Sequence, residues 1–162
     1  MRLFPLSPVV AATLARGDLS VVPPGVDVTR VVDLVRAMAG AHRKMYQVTG
    51  ATAPWLGHLA IAPDPERVVG VCGFKGSCRD GAAEIAYFTF PPFEGRGHAV
   101  AMTGCLIHLA RAHAEVQELR AHTLPHSTRA ARVLEHHGFE RLGTVEDSED
   151  GHIWRWRLTL AP

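Results

Sequence analysis

The chain has 162 residues, the length of one domain on a scale of roughly 100–200 residues each. Its 17 Lys and Arg against 16 Asp and Glu leave a net charge of +1, which excludes the broad basic field of a dedicated nucleic-acid binder. Hydrophobic residues at 47% exclude a disordered chain, and no apolar run reaches the roughly 18 residues of a membrane span.

Arg2–Leu6 reads as a first strand. Ser7-Pro8 supplies an N-cap followed by proline at the first helical position, so a helix is expected over Val9–Arg16, stopped by Gly17. Pro23-Pro24-Gly25 marks a loop. A second helix is expected from Asp27 to Met38, because Val31, Leu34, Val35 and Met38 keep i, i+3, i+4, i+7 spacing and Gly40 follows. Ala41–Pro54 carries no clear pattern. Trp55–Ala62, Arg67–Lys75 and Ala83–Phe90 read as three antiparallel strands in a meander, ended by Pro91-Pro92, since proline cannot donate to a sheet ladder. The loop Glu94-Gly95-Arg96-Gly97-His98-Ala99 runs straight into a helix marked by Met102, Cys105, Leu106 and Leu109. Val116–Leu124 is an expected strand and Ser127–His137 an expected helix, with Gly138 at its C-terminal turn. Phe139–Val145 and His152–Leu160 form an expected hairpin, whose last strand places Trp154, Trp156, Leu158 and Leu160 on one face. The expected order is β-α-α-β-β-β-α-β-α-β-β, with one parallel crossover from Ala83 to Leu124 in an otherwise antiparallel sheet.

Met1-Arg2-Leu3-Phe4-Pro5 lacks the apolar stretch and cleavage site of a signal peptide. Cys72, Cys78 and Cys105 are odd in number and have no CxxC spacing, which suits neither a disulfide framework nor a zinc knuckle. Free thiols point to a reducing compartment, so a cytoplasmic location is expected, with no membrane partner.

The glycine loop carries the first chemical signal. Strand, sharp turn, two glycines and helix together expose backbone N–H groups at a helix N-terminus, whose dipole end is positive. Glycine lets an anion approach the backbone closely, so a phosphate or pyrophosphate is the natural guest. A Walker loop is excluded because His98-Ala99 follows Gly97 where Lys-Ser/Thr is needed. A dinucleotide fingerprint is excluded by the missing third glycine.

Three segments in order then resemble a known family: Glu84-Ile85-Ala86-Tyr87 with Gly95-Arg96-Gly97-His98-Ala99, Thr123-Leu124-Pro125, and Arg132-Val133-Leu134-Glu135-His136-His137-Gly138-Phe139. They are similar to the GNAT superfamily of acetyl-CoA-dependent N-acetyltransferases, within it to the RimJ/RimL-like branch. The motif resemblance covers Val68 to Phe139, and the element order extends it to the whole chain. It implies a single α/β (α+β type) domain over residues 1–162, with a mixed, mostly antiparallel sheet of about seven strands flanked by four helices.

The resemblance also implies site residues. Backbone amides of Gly95, Arg96, Gly97, His98, Ala99 and Val100 would hold the pyrophosphate of acetyl-CoA, and the Arg96 side chain reads either as a source of positive charge or as a solvated arginine. Main-chain groups around Phe88, Thr89 and Phe90 would pair with the pantetheine arm, and an N–H there would polarise the thioester carbonyl. Ser127 or Thr128 would replace the asparagine that steadies the cofactor in relatives. Glu84 matches a general-base position, and apolar neighbours on its strand imply a raised pKa. A paired structural carboxylate is the alternative reading of Glu84, and sheet packing is the reading of Tyr87. The sequence departs from the family at three places. Glu94 stands where Arg or Gln opens the loop, and Ala130 and Leu134 stand where relatives carry a serine or tyrosine acid.

The implied activity is transfer of an acetyl group to a primary amine, a protein N-terminus or small molecule, by direct attack in a ternary complex. An acyl-CoA-binding sensor or interaction module with little turnover is the alternative. His122 and His126 bracket the end of a strand near the expected cleft, where either can shuttle a proton. The acidic run Glu146-Asp147-Ser148-Glu149-Asp150 reads as a solvated hairpin loop or as an attractor of a cationic amine. No metal is expected, and aromatic residues of the last strand would suit a homodimer.

Overall fold

The computed structural model describes residues 1–148 and 150–160, and the side chain of Thr128 falls outside that description. The strands are β1 (Arg2–Pro5), β2 (Gly57–Ala62), β3 (Arg67–Phe74), β4 (Ala82–Thr89), β5 (Glu118–Thr123), β6 (Glu140–Asp147) and β7 (Gly151–Thr159). The helices are α1 (Pro8–Ala15), α2 (Val32–Thr49), α3 (His98–Arg111) and α4 (Thr128–His136), with a short 3-10 turn at Pro91–Phe93. Every expected element forms, in the expected order. One seven-stranded sheet runs β1-β2-β3-β4-β5-β7-β6. Its only parallel neighbours among the described residues are β4 and β5, joined through α3.

Local chemistry explains most element ends. Ser7 Oγ accepts the Val10 N–H at 3.3 Å and so starts α1, with Pro8 at its first position. Gly138, at φ +80°, supplies the left-handed turn after α4. The core joins Leu6, Leu14, Val35, Leu59, Phe74, Ile85, Phe90, Met102, Leu106, Leu119, Leu134 and Trp156. Trp156 on β7 and Leu160 just beyond it are buried, while on the opposite face Arg155 and Thr159 are exposed and Ile153 is buried.

The second helix differs from the expected one. It starts at Val32, five residues later than expected, and runs through Gly40 to Thr49. Val31 still caps it, and the buried stripe continues from Val35 and Ala39 to Tyr46, at i, i+4 and i+11. Gly40 forms part of the helix because tertiary packing outweighs its propensity cost of about 1 kcal/mol. Gly50, at φ +64°, makes the real C-terminal turn.

Tyr46 explains why the helix extends this far. Its hydroxyl donates to the Leu6 carbonyl at 2.9 Å and accepts the Gly57 N–H at 2.8 Å, so it pins α2 to the ends of β1 and β2. Tyr46→Phe leaves a buried carbonyl and a buried N–H without a partner. It is expected to lower stability by about 2–4 kcal/mol, read from urea unfolding.

His58 adds a pH dependence. It lies on β2, 7% exposed, and its Nδ1 has no hydrogen-bond partner. Burial first, then the neighbouring His42, push its pKa down to about 4, against a smaller opposing contribution from a Cys72 backbone hydrogen bond. The unfolded chain therefore binds a proton near pH 6.5 that the folded chain refuses until about pH 4. Stability from this residue is complete above pH 6.5 and is lost as pH falls toward 4. Melting temperature should drop across that window, and His58→Leu should flatten the drop. An unchanged slope in the variant would assign the acid sensitivity elsewhere.

Candidate active site

The sheet opens at β4 and β5. They pair only at Ala82–Glu118, Ala83–Leu119 and Glu84–Arg120, and beyond Glu84 they diverge. β4 continues along β3 up to Thr89, while β5 continues along β7 up to Thr123. The facing edges of the two strands thus border a wedge with unpaired main-chain groups.

Alternation assigns those groups. The Phe90 N–H bonds the Val69 carbonyl at 2.9 Å, and the Glu84 carbonyl accepts the Lys75 N–H at 2.9 Å. Even-numbered residues of β4 therefore direct their main chain at β3. Ile85, Tyr87 and Thr89 direct theirs into the wedge.

A cavity of about 700 Å³ occupies one side of the wedge. Its wall includes Phe88, Thr89, Gly95, Gly97, His98, Ala99, Val100 and Ser127, all expected from the sequence. Gly95 and Gly97 adopt φ +74° and +78°, the left-handed region that glycine enters without strain. Gly97 caps α3 with no side-chain hydrogen bond, so the first N–H groups of this 14-residue helix remain open toward the cavity. Burial, then the charge of Arg96, hold the His98 imidazole below its usual pKa, so it sits neutral at the helix start.

Three expectations need correction. Phe90 is fully buried in the core and its N–H is taken by Val69, so it offers the cavity nothing. Phe88 contributes its ring to the wall, but its main chain faces β3; the free groups belong to Tyr87 and Thr89. Arg96 is exposed and lies outside the wall. Arg129 and Arg132 of α4 bring the positive charge instead, and Arg129 pairs with Glu94 at 3.2 Å. That pairing gives the Glu94 carboxylate a cationic partner at the cavity wall. The lining residues that sequence reading did not place in the site, Tyr87, Arg129, Arg132 and Val133, come from β4 and from α4. The i, i+3 spacing of Arg129 and Arg132 at the start of an expected helix was the available signal. The side chain of Thr128 lies outside the described residues. Thr89 adds a buried hydroxyl with no partner.

A second cavity, about 420 Å³, borders the wedge at Glu84. Lys75, Glu84, His122, Thr123, Leu124 and Ile153 line it, together with Glu146, Asp147 and Asp150 of the β6–β7 hairpin. Glu149, in the same acidic run, lies outside the described residues. Glu84 Oε1 accepts both the His122 Nδ1 at 2.9 Å and the Lys75 ammonium at 2.9 Å. Burial raises the Glu84 pKa, but the hydrogen bonds and charges of His122 and Lys75 together outweigh it, leaving the carboxyl below its ordinary value. The raised pKa expected from the sequence is therefore corrected. Apolar strand neighbours told of burial, whereas the two partners come from β5 and from just beyond β3. His126 does not join this cavity.

A family model described as the acetyltransferase (GNAT) domain matches residues 25–140. The chain belongs to the GNAT acetyltransferase family. As a GNAT member it is an acetyl-CoA-dependent acetyltransferase. A comparison with curated proteins returned no match. Similar solved structures include RimL, a ribosomal L7/L12 alpha-N-protein acetyltransferase in complex with coenzyme A. It shares 13% identity at a TM-score of 0.65, over 98% of this chain and 93% of that one. The ribosomal-protein-S5-alanine acetyltransferase of Vibrio fischeri shares 13% identity at a TM-score of 0.65, over 97% of this chain and 91% of that one. A GNAT-family acetyltransferase of Bacillus anthracis shares 16% identity at a TM-score of 0.62, over 98% and 92% of the two chains. At these identities the likenesses show a shared fold. Of the two positions where the motif resemblance places an acid, Ala130 lines the larger cavity and Leu134 is fully buried.

Proposed function

We propose that this GNAT enzyme transfers the acetyl group of acetyl-CoA to a primary amine by direct attack in a ternary complex. The acceptor is a protein N-terminus or a small molecule. The observation that carries the reading is the wedge itself, with an uncapped helix N-terminus and two arginines along one side and a hydrogen-bonded Glu84–His122 pair on the other.

Each group then has a role. The amides that open α3, with Arg129 and Arg132, bind the phosphates of the donor. The Tyr87 and Thr89 N–H groups face the thioester and stabilise the oxyanion as the amine attacks. An ammonium has no lone pair, so the acceptor must first lose a proton. Glu84, held as a carboxylate, accepts the Nδ1–H of His122 and leaves Nε2 to take that proton, directly or through water. Glu84 thereby orients the base rather than acting as the base itself. Glu146, Asp147 and Asp150 line the acceptor side and attract a cationic amine.

Calorimetry with acetyl-CoA, followed by thiol release against a panel of amines and N-terminal peptides, tests the reading. Binding with turnover supports it. Binding without turnover across the panel turns the assignment toward an acyl-CoA sensor. No binding overturns the cofactor site.

A further inference from the structure

We propose that Tyr87 donates the hydrogen bond that stabilises the departing sulfur of acetyl-CoA. The inference rests on the acetyl-transfer reading above. With phosphates at the α3 N-terminus and the amine at Glu84 and His122, the thioester has to lie along β4 between them. Tyr87 stands three residues beyond Glu84, roughly 10 Å along an extended strand, and immediately before the Phe88–Thr89 wall. Its main chain faces the wedge and its ring lines the larger cavity. The hydroxyl donates to the Ala130 carbonyl of α4 at 3.1 Å, so the side chain reaches from β4 to α4. A phenol on β4 thus brings a hydroxyl beside Ala130, whose own side chain has none.

The chemistry of the donor suits this position. A thiol, with a pKa near about 8.5, is a stronger acid than a phenol near about 10, so tyrosine does not give its proton up to a thiolate. Burial raises the Tyr87 pKa further and keeps the O–H intact. As the C–N bond forms, the C–S bond breaks and its electron pair stays on sulfur. The Tyr87 O–H turns from the neutral Ala130 carbonyl to the charged sulfur, an acceptor that makes a roughly twofold stronger hydrogen bond. The ammonium gives one proton to His122 before the amine attacks, and this passes to solvent. The second nitrogen proton, made acidic as the C–N bond forms, leaves by the same route. The thiolate takes one proton from solvent after release, so one proton is released net. No group is left with an unbalanced charge.

Tyr87→Phe removes only the hydroxyl. The expected result is a fall in kcat of about 10–100-fold, with acetyl-CoA affinity by calorimetry within twofold of the parent chain. A purely structural role, holding α4 against β4, would instead weaken acetyl-CoA binding along with kcat. That outcome, or an unchanged kcat, overturns the proposal while leaving acetyl transfer in place. Absence of turnover in the parent chain overturns both. Should Tyr87→Phe fail to fold, 3-fluorotyrosine at position 87 keeps the shape with a more acidic phenol. A raised kcat at unchanged affinity then supports the proposal, and an unchanged kcat rejects it.

Discussion

Gly97→Asp is expected to weaken acetyl-CoA binding by more than 100-fold while leaving the protein folded. Gly97 sits at φ +78° at the start of α3, in the wall of the larger cavity. A Cβ added there meets no atom within 4 Å, so the substitution does not clash with the protein. The left-handed conformation costs a non-glycine residue roughly 1–2 kcal/mol. The larger effect is electrostatic. A carboxylate would lie where the open N–H groups of α3 receive the pyrophosphate, turning attraction into repulsion at the positive end of the helix dipole. Gly97→Ala is the control, since it brings the backbone strain without the charge. Calorimetry should show a modest loss for alanine and no measurable binding for aspartate. Equal affinities for the two variants would mean that the phosphates bind elsewhere.

Glu84→Gln and His122→Ala should each lower kcat by about 10²–10⁴-fold, with acetyl-CoA affinity unchanged. Gln at position 84 keeps the shape but ends the charge that Lys75 and the His122 Nδ1–H both meet. The two residues act as one unit, so the double variant should be little worse than either single one. Additive losses would separate their roles and return the base function to Glu84 alone. The direction of the Glu84 shift sets a further condition. Its pKa lies below the ordinary 4.5, so the carboxylate persists as pH falls to that value. An acid limb in kcat above pH 4.5 therefore belongs to another group.

Much of this was readable before any coordinates. Apolar runs bounded by turn residues marked the strands, with period-two alternation in the last of them. Proline at 91 and 92 and glycine at 17 and 138 marked where elements stop. The glycine loop pointed to a candidate anion site because its chemistry is local: the donors are main-chain, and a positive φ favours glycine. The second helix was misplaced because Gly40 is a stop signal in isolation and an interior residue once Tyr46 anchors the next two turns to Leu6 and Gly57.

The partners of Glu84 were not readable, and the sign of its pKa shift went with them. His122 is 38 residues away and Lys75 nine, and only the parallel pairing of β4 with β5 and the turn after β3 bring all three together. Likewise Glu94 is an awkward residue in the sequence and a partner of Arg129 in the fold. Residue order alone carried the elements, their order and the glycine loop, which rest on backbone geometry and short-range periodicity, while its motifs carried the family resemblance. Tertiary structure alone decided where β4 and β5 part, which β4 amides face the opening, and which charges surround Glu84, because those depend on strand register and on contacts between residues distant in the chain.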